Sequence, residues 1–410
     1  MTSYIGIVEP ISSGLNLIQE AKEMGLKVLV FTADCGDRTV PSKFRESVDE
    51  WCIVDTNDEE ALCQAVNSAH QKYSLAALVP GFEYYVAMVS RISEKLGFIG
   101  LRPDTADCVR HKSKMRQRLS ACGLRSPRFF EIRSVDDLEE AAHKIGFPAV
   151  AKADDLSGSV HVSKVEDILA LESSYQIYHT DTWRDLGHSS NGVFLLEEYI
   201  DGPELSVEGF ITASGEPVIL SNTQKILGPE PAFVEVGHIV EAELEHETIL
   251  QIRKYLTDVL HALQVTMGVF HAEIRLSKKG PVLIEIGARL PGDYIVELVR
   301  WTKGASLPRA MLQSFLGKTP FPWVDSPKAN YAGIQFLVPT IFGHQVLSDV
   351  SEAMAIDGVL KCELTLPVGS SSFVGHSDFR SRIGWVIAEG TSHQQVIERL
   401  KLALQAIQFS

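Results

Sequence analysis

The sequence predicts a protein of mixed class, α/β at its N-terminus and α+β in the remainder, and three observations support that class. Short apolar runs alternate with helical patterns over the first hundred residues, which indicates βαβ units around a parallel sheet. Further on, two apolar strands are joined by a short turn at 278–280, which is typical of a hairpin. The chain has 410 residues, 45% of them apolar and 22% charged, so two or three domains are expected.

The alternation in the first hundred residues defines the expected elements there. Strands are predicted at 4–8, 27–32, 51–54, 75–79 and 98–99, and helices at 15–24, 58–73 and 83–96. The first turn, at 9–14, lacks the G-x-G-x-x-G pattern. A structural α/β module is therefore favoured over a dinucleotide site.

Later elements are predicted from the same signals. A helix is expected at about 105–122, a strand at 128–132 and a helix at 135–145, and the polar segment 180–192 is expected to be a mobile loop. Three further strands are expected at 333–338, 359–366 and 383–388. A last helix begins near Ser392, because four apolar residues recur on one helical face: Val396, Leu400, Leu404 and Ile407.

Charge and composition exclude several classes of function. With 53 acidic and 38 basic residues the net charge is −15, which argues against a general nucleic-acid or anionic-membrane binder. No apolar run approaches the roughly 18 residues of a membrane span, and the N-terminus lacks signal-peptide features. The six cysteines are scattered without a C-x-x-C pair, which suits neither a disulfide framework nor a zinc site. We expect a soluble, cytoplasmic protein.

Two groups of acidic residues stand out. In the first, a predicted buried strand ends at Glu197 and Glu198, and Glu204 follows a Gly-Pro turn; solvated acids on a hairpin are an alternative explanation. In the second, Glu273 and Glu285 lie among apolar neighbours on two strands that a turn at 278–280 can bring opposite each other. Facing buried carboxylates either share a proton or hold a cation. Oxygen ligands without nearby cysteine or clustered histidine favour Mg²⁺.

Several motifs in order along the chain resemble those of the ATP-grasp ligases. Lys112, Arg116, Leu119 and Gly123 match a K-x-x-x-R-x-x-L-x-x-x-G pattern, Phe147, Pro148 and Lys152 match F-P-x-x-x-K, and Glu197, Gly202 and Glu204 match E-x-x-x-x-G-x-E. The resemblance extends over essentially the whole chain. It implies an ATP-grasp fold with a Rossmann-like N-terminal domain at 1–103, a central subdomain at 104–200 and a C-terminal domain at 201–410, with ATP held between two α+β subdomains.

The resemblance also assigns roles to single residues. Lys112 and Lys152 would contact the ATP phosphates, and Gly158 and Ser159 would offer backbone donors to them. Glu197 would accept from the adenine amino group, backbone groups of Glu198, Tyr199 and Ile200 would contact the adenine edge, and Glu204 would hold the ribose. Glu273 and Glu285 would bind Mg²⁺ or Mn²⁺. Arg289 would be the catalytic arginine that clamps the transferred phosphate and the substrate. A lone lysine in such a protein is usually a solvated surface group, so these assignments depend on the motifs occurring together.

One sequence motif narrows the resemblance to a single branch of these ligases. Glu285-Ile-Gly-Ala-Arg289 resembles the L-amino-acid ligases, the dipeptide synthetases of the bacilysin and dapdiamide type, whereas many other ATP-grasp enzymes carry Asn at the position of Gly287. By the same resemblance His238 and Gly292 would lie near the substrate; a partly exposed histidine at a strand end is the alternative for His238.

The chain departs from that pattern at three places. His111 replaces an aspartate before Lys112, and His161 lies in the expected phosphate flap at 154–162. Asp293 stands in a segment that lacks the tryptophan of the bacilysin enzyme. We therefore expect a substrate larger or more polar than alanine.

Together these features predict an ATP-dependent carboxylate–amine ligase that forms a dipeptide-like amide through an acyl phosphate and releases ADP and phosphate, in a setting such as peptide-antibiotic biosynthesis. Its partners would be a small carboxylate and an amino acid, with neither nucleic acid nor membrane, and a homodimer is common in the family. The alternatives are an ATP-grasp carboxylase or nucleotide-biosynthesis ligase, and a non-catalytic nucleotide-binding scaffold. The Glu285–Arg289 motif argues against the carboxylase and the nucleotide-biosynthesis ligase. The presence of Glu273, Glu285 and Arg289 argues against the non-catalytic scaffold.

Overall fold

The computed structural model describes residues 3–339, 346–370 and 378–408, and their strands form three sheets. The first sheet contains β1 (Tyr4–Val8), β2 (Lys27–Thr32), β3 (Glu50–Ile53) and β4 (Ala77–Pro80), in the order β3-β2-β1-β4. All its pairings are parallel. Its helices are α1 (Leu15–Glu23), α2 (Ser42–Arg45), α3 (Glu59–Tyr73) and α4 (Val86–Leu96). The predicted parallel α/β arrangement is confirmed.

The strand predicted at 98–99 is wrong. Helix α4 ends at Gly97, which has a φ of +79°, and the Phe98 backbone N–H donates to the carbonyl of Ser93 at 2.9 Å. Phe98 therefore belongs to the helix C-cap. The Ile99 side chain is half exposed, so the apolar pair that suggested a strand is not buried in a sheet.

The second sheet is antiparallel and has the order β5-β8-β6-β7. Its strands are β5 (Phe129–Ile132), β6 (Ala149–Ala153), β7 (Ser163–Val165) and β8 (Phe194–Glu198). The helices of this part of the chain are α5 (Pro103–Arg110), α6 (Lys112–Ala121), α7 (Leu138–Ile145) and α8 (Ile168–Thr180).

The single helix predicted at 105–122 is two helices, α5 and α6. The chain is extended at His111, with φ −104° and ψ 116°. Asp154 causes this break, because its carboxylate accepts from the backbone N–H of Ser113 at 2.7 Å and lies 3.1 Å from Nδ1 of His111. A carboxylate at this position caps the N-terminus of α6. Lys112 thereby becomes the first residue of a helix that points toward the site.

The third sheet has eight strands, all paired antiparallel, in the order β13-β12-β9-β10-β11-β14-β16-β15. They are β9 (Glu204–Ile211), β10 (Pro217–Leu227), β11 (Glu235–Val240), β12 (Val269–Ser277), β13 (Gly280–Gly287), β14 (Tyr331–Leu337), β15 (Val359–Leu364) and β16 (Gly384–Gly390). The helices are α9 (His246–Leu263), α10 (Ile295–Lys303), α11 (Leu307–Phe315), α12 (Ser351–Met354) and α13 (His393–Ala406). The last helix and its apolar face are as predicted, since Val396 and Leu400 are buried.

The first and third sheets share one hydrophobic core. Ile5 and Val30 of the first sheet pack in the same buried cluster as Phe210, Leu298 and Ile334. A buried polar contact joins the same two parts, because Glu20 on α1 accepts from the Ser306 hydroxyl at 2.6 Å and from Nε of Arg309 at 2.5 Å.

The strands of each sheet fall within one of the three predicted segments, and the segment boundaries themselves stay a prediction. The segment 181–192 is irregular, as predicted, but it is attached to the N-terminal part: Nδ2 of Asn57 donates to the Leu186 carbonyl at 3.0 Å. Its mobility also stays a prediction. In the ranges that the structure covers, every helix is too short or too polar to cross a bilayer.

The turn between β8 and β9 sets the positions of the acidic residues at 197–204. Gly202 has a φ of +137°, and a Cβ atom there would lie 2.1 Å from the carbonyl oxygen of Leu276. Only glycine allows the two backbones to approach this closely.

We predict that Gly202→Ala lowers the free energy of unfolding by about 2 kcal/mol more than Gly215→Ala does. Gly215 also has a positive φ, +87°, but has open space around its Cβ position, so the difference isolates the steric clash. Urea denaturation of both variants measures it. Equal losses in the two variants would contradict the close-approach argument.

Candidate functional site

Two adjoining cavities lie where the three sheets meet. The large cavity, of about 550 Å³, is lined from the first sheet's loops by Phe82 and Glu83 and from the third sheet by His238 and Asp293. The small cavity lies between the second and third sheets. It is lined by Lys112, Lys152, Glu197, Ile200, Glu204 and Glu285. Residues common to both linings mark the boundary: Ser157, Gly158, Lys225, Glu235, Glu273 and Arg289.

Lys152 and Glu197 form an ion pair at the side of the small cavity formed by β6 and β8. The Lys152 ammonium lies 2.6 Å from Glu197, and Arg116 holds the same carboxylate from Nε and Nη2 at 3.0 and 3.1 Å. Burial acts to raise the pKa of Glu197, but Arg116 and Lys152 outweigh it and hold that pKa below its usual value. Sequence analysis matched Arg116 to a motif but gave it no role. Its spacing of four from Lys112 on one helix is the signal that could have identified it.

Glu273 and Glu285 face each other directly in the register of β12 and β13, as predicted. Each is paired with a lysine: Glu285 lies 3.2 Å from the ammonium of Lys112, and Glu273 lies 2.7 Å from that of Lys225. Lys112 also donates to the Leu156 carbonyl at 2.9 Å. Two carboxylates that face one cavity and already attract cations form an all-oxygen donor set, which fits a hard divalent cation such as Mg²⁺.

Lys225 was missed by the sequence analysis. Its buried ammonium lies 2.7 Å from each of three carboxylates, those of Glu204, Glu235 and Glu273. Burial acts to lower the pKa of Lys225, but these carboxylates hold it well above its ordinary value. The other oxygen of Glu204 accepts from Nε of Arg275 at 2.9 Å. The strand offered no clear signal for this lysine, because the polar run 221–224 directly precedes Lys225 on β10.

The three residues after Glu197 differ in where their side chains lie. Glu198 and Ile200 line the small cavity, and Ile200 is 5% exposed. The Glu198 carboxylate accepts from the backbone N–H of Arg128 at 3.3 Å. The Tyr199 hydroxyl donates to Glu230 at 2.8 Å. Tyr199 is not one of the described residues that line either cavity.

The segment at 154–162 covers the boundary between the cavities. Gly158 and Ser159 line the small cavity with φ values of +67° and +61°, and a Cβ atom at Gly158 would lie 2.5 Å from the Phe379 ring. The Ser159 hydroxyl donates to the Phe233 carbonyl at 3.0 Å. His161 contacts Asp181 instead: Nε2 of His161 lies 3.1 Å from the Asp181 carboxylate, and burial lowers the pKa of His161. His161 therefore leaves the approach to Gly158 open.

Arg289 is held by a residue from the N-terminal part of the chain. Its Nε pairs with the buried carboxylate of Glu83, and Nη1 donates to the Leu290 carbonyl at 2.9 Å. Burial acts to raise the pKa of Glu83, but Arg289 outweighs it and keeps that pKa below its ordinary value. Sequence analysis missed Glu83, since 206 residues separate the partners and no local pattern connects them.

His238 is 2% exposed and lines the large cavity, so the alternative of a partly exposed histidine is wrong. Its Nε2 lies 2.9 Å from Asp293, whose carboxylate also accepts from both terminal nitrogens of Arg382 at 2.7 and 3.1 Å. Gly292 lines the same wall, with open space at its Cβ position. Asp293 thus forms a charged wall in the segment that lacks the tryptophan of the related pattern.

Comparisons with known proteins agree with this fold. The ATP-grasp N-terminal domain family matches residues 18–98, and the ATP-grasp domain family matches residues 145–297. Alanine–anticapsin ligase of Bacillus subtilis is 24% identical over 64% of this chain and 58% of its own length. Dapdiamide A synthase of Enterobacter agglomerans is 23% identical over 76% of this chain and 73% of its own length. The crystal structure of an L-amino acid ligase from Bacillus licheniformis has a TM-score of 0.82 at 23% identity, covering 100% of this chain and 98% of that one.

The chain therefore contains an ATP-grasp N-terminal domain followed by an ATP-grasp domain, and its fold is the ATP-grasp fold. The resemblance inferred from the motifs is confirmed, and the relatives include ligases of the expected branch. The chain spans less than two thirds of the length of alanine–anticapsin ligase.

We predict that Arg116→Met lowers the free energy of unfolding by about 3–5 kcal/mol, because it leaves a buried carboxylate with one partner fewer. The matched control is Arg128→Met, whose ion pair with Glu198 is largely exposed and contributes less than about 1 kcal/mol. Urea denaturation measures both. Similar losses in the two variants would contradict a structural role for Arg116.

A pH dependence is expected from His188 in the 181–192 segment. Burial, with Arg110 and Arg38 nearby, lowers the pKa of His188 from 6.5 to about 4. Folding therefore favours the neutral ring, so this stabilisation is complete above pH 6.5 and is lost as the pH falls through 4. We predict that His188→Gln flattens the fall in unfolding free energy over this window, while the exposed control His246→Gln keeps the wild-type curve. Identical curves for wild type and His188→Gln would refute the prediction.

Proposed function

We propose that this protein is an ATP-dependent carboxylate–amine ligase that forms an amide bond through an acyl phosphate. The observation that carries the proposal is the boundary between the cavities. There Arg289 lines both cavities beside Glu273 and Lys225, and Glu285 lies within 3.2 Å of Lys112. Phosphoryl transfer depends on positioned cations around the transferred group, and this boundary is where such cations are concentrated.

In this proposal the small cavity holds the nucleotide. Glu197 and the backbone at 198–200 would contact the adenine, and Glu204 would accept from the ribose hydroxyls. Lys112, Lys152 and the backbone donors of Gly158 and Ser159 would contact the phosphates. The roles of Glu197 and Glu204 are compatible with their ion pairs, because a carboxylate has about four lone-pair sites and each uses only some of them.

ATP-grasp enzymes use ATP and a divalent metal, and Glu273 and Glu285 would hold Mg²⁺ here. When bound, the metal would draw negative charge from the phosphate oxygens. The chain's own cations complement that charge. Arg289 is kept in place by Glu83, so its orientation is set before substrates arrive, which is the condition under which electrostatic stabilisation is strongest.

The reaction would proceed in two displacements. A substrate carboxylate oxygen attacks the γ-phosphorus, the bond to the ADP oxygen breaks, and an acyl phosphate forms. The nitrogen of an amine then attacks the acyl carbon, the carbon–oxygen bond to phosphate breaks, and the amine loses a proton as the amide forms. Water must be kept out because an acyl phosphate hydrolyses readily. The segments at 154–162 and 181–192 would provide that cover.

The large cavity would hold the carboxylate and the amine. Its volume of about 550 Å³ is within the range of small-molecule sites. The names of the relatives, alanine–anticapsin ligase and L-amino acid ligase, support amino acids as substrates. The charged wall of His238, Asp293 and Arg382 supports a substrate more polar than alanine.

We predict that multiple-turnover formation of ADP from Mg-ATP requires both a carboxylate and an amino acid, and that it is accompanied by a new amide mass in mass spectrometry. Glu285→Gln should lower this turnover by roughly 100-fold or more because a metal carboxylate is lost. The control Glu216→Gln, at an exposed turn, should retain full activity. Absence of ADP with every substrate pool would contradict the ligase, and full activity of Glu285→Gln would contradict the metal assignment.

A further inference from the structure

Lys225 is the cation with the most carboxylate partners at the boundary of the cavities. Its strand, β10, lies between β9 and β11, and β12 is the next strand beyond β9. Glu204 on β9, Glu235 on β11 and Glu273 on β12 all reach its ammonium at 2.7 Å. Four strands of one sheet therefore direct three acids and one lysine to a single point.

The neighbouring cations do not share this arrangement. Arg275 contacts Glu204 but none of the proposed metal carboxylates. The Lys112 ammonium lies 3.2 Å from Glu285 and also donates a hydrogen bond to the Leu156 carbonyl. Lys225 alone, among the described residues, joins a proposed ribose carboxylate, a proposed metal carboxylate and an acid of the large-cavity wall.

We propose that Lys225 is a placeholder cation, whose ammonium occupies Glu273 in the nucleotide-free protein and competes with the metal for that carboxylate. This inference rests on the metal role assigned to Glu273 and Glu285 under the proposed function. Three partly buried carboxylates around one point need a positive charge. A divalent cation and an ammonium cannot both make close contact with the same carboxylate oxygen without strong mutual repulsion.

The competition has a consequence for the order of binding. Without nucleotide, the Lys225 ammonium holds Oε2 of Glu273 and repels a metal at that carboxylate, so the affinity for the metal is low. When a nucleotide is present, its phosphate oxygens offer Lys225 another anionic partner. Lys225 can then leave Glu273, so metal and nucleotide bind together rather than separately.

The test measures Mn²⁺ binding to the full-length protein by electron paramagnetic resonance, first without nucleotide. Lys225→Met should bind Mn²⁺ about tenfold more tightly than wild type, because the ammonium at Oε2 of Glu273 is gone while His271, 3.4 Å from Oε1, is unchanged. Lys225→Arg keeps the charge and should stay close to wild type. Arg275→Met is the matched control: it removes a buried cation whose carboxylate partner is Glu204 and which makes no ion pair with Glu273 or Glu285 among the described residues, and it should leave Mn²⁺ affinity unchanged. The proposal would be overturned if Lys225→Met bound Mn²⁺ no more tightly than wild type does. It would also be overturned if Arg275→Met tightened Mn²⁺ binding as much as Lys225→Met does.

A second variant makes the test independent of whether Lys225→Met folds. Glu235→Gln removes one of the three carboxylates, so Lys225 should hold Glu273 more strongly and Mn²⁺ should bind about threefold more weakly without nucleotide. Unchanged or tighter binding would overturn the placeholder role. Repeating the wild-type measurement with a non-hydrolysable ATP analogue separates the two proposals. If Mn²⁺ does not bind even then, the metal assignment fails and the placeholder role fails with it. If Mn²⁺ does bind but Lys225→Met gives no tightening, only the placeholder role fails.

Discussion

Carboxylates that lie wholly or partly buried around two cavities are the constraint on which the rest of this structure depends. Removing a carboxylate from water without a cation costs several kcal/mol. Five of them each meet a lysine or arginine side chain: Glu83, Glu197, Glu204, Glu273 and Glu285. Two of these pairs join different parts of the chain, because Glu83 of the N-terminal part meets Arg289 after β13, and Glu285 of β13 meets Lys112 of α6. Those two pairs can form only when the parts that carry the three sheets are assembled, so assembly of the fold completes the site.

The same pairing prepares the site for anionic substrates. A cation that is already fixed by a carboxylate needs little reorganisation when a phosphate group arrives, and preorganised charge is more effective than charge that must be recruited. Arg289 is anchored by Glu83, and Lys152 by Glu197. The net charge of −15 does not oppose this arrangement, because the buried acids near the cavities are matched locally and other acids lie at the surface.

Sequence analysis predicted what short-range patterns determine. The hairpin at 278–280 was enough to predict that Glu273 and Glu285 lie roughly opposite each other. The exact pairing needs a β-bulge between Glu273 and Ile274, because the register set by the turn alone would place Glu273 opposite Ile284. Prediction from the sequence failed where a residue distant along the chain determines the local structure. Asp154 breaks the helix at His111 from more than 40 residues away, and Glu83 holds Arg289 from 206 residues away. Lys225 was missed for a similar reason, because its partners lie on three other strands.

The departures from the family pattern differ in their consequences because of what each residue contacts. His111 lies beside Asp154, so the start of α6 keeps a carboxylate partner although the usual aspartate is absent. His161 contacts Asp181 and leaves the phosphate flap open. Asp293 differs, since it forms the wall of the large cavity together with His238 and Arg382. On the proposed nucleotide side, the two histidines are therefore paired with neighbouring acids, whereas on the proposed substrate side Asp293 adds charge to the cavity wall. A difference in substrate choice from the alanine-using relative is thus expected from this wall.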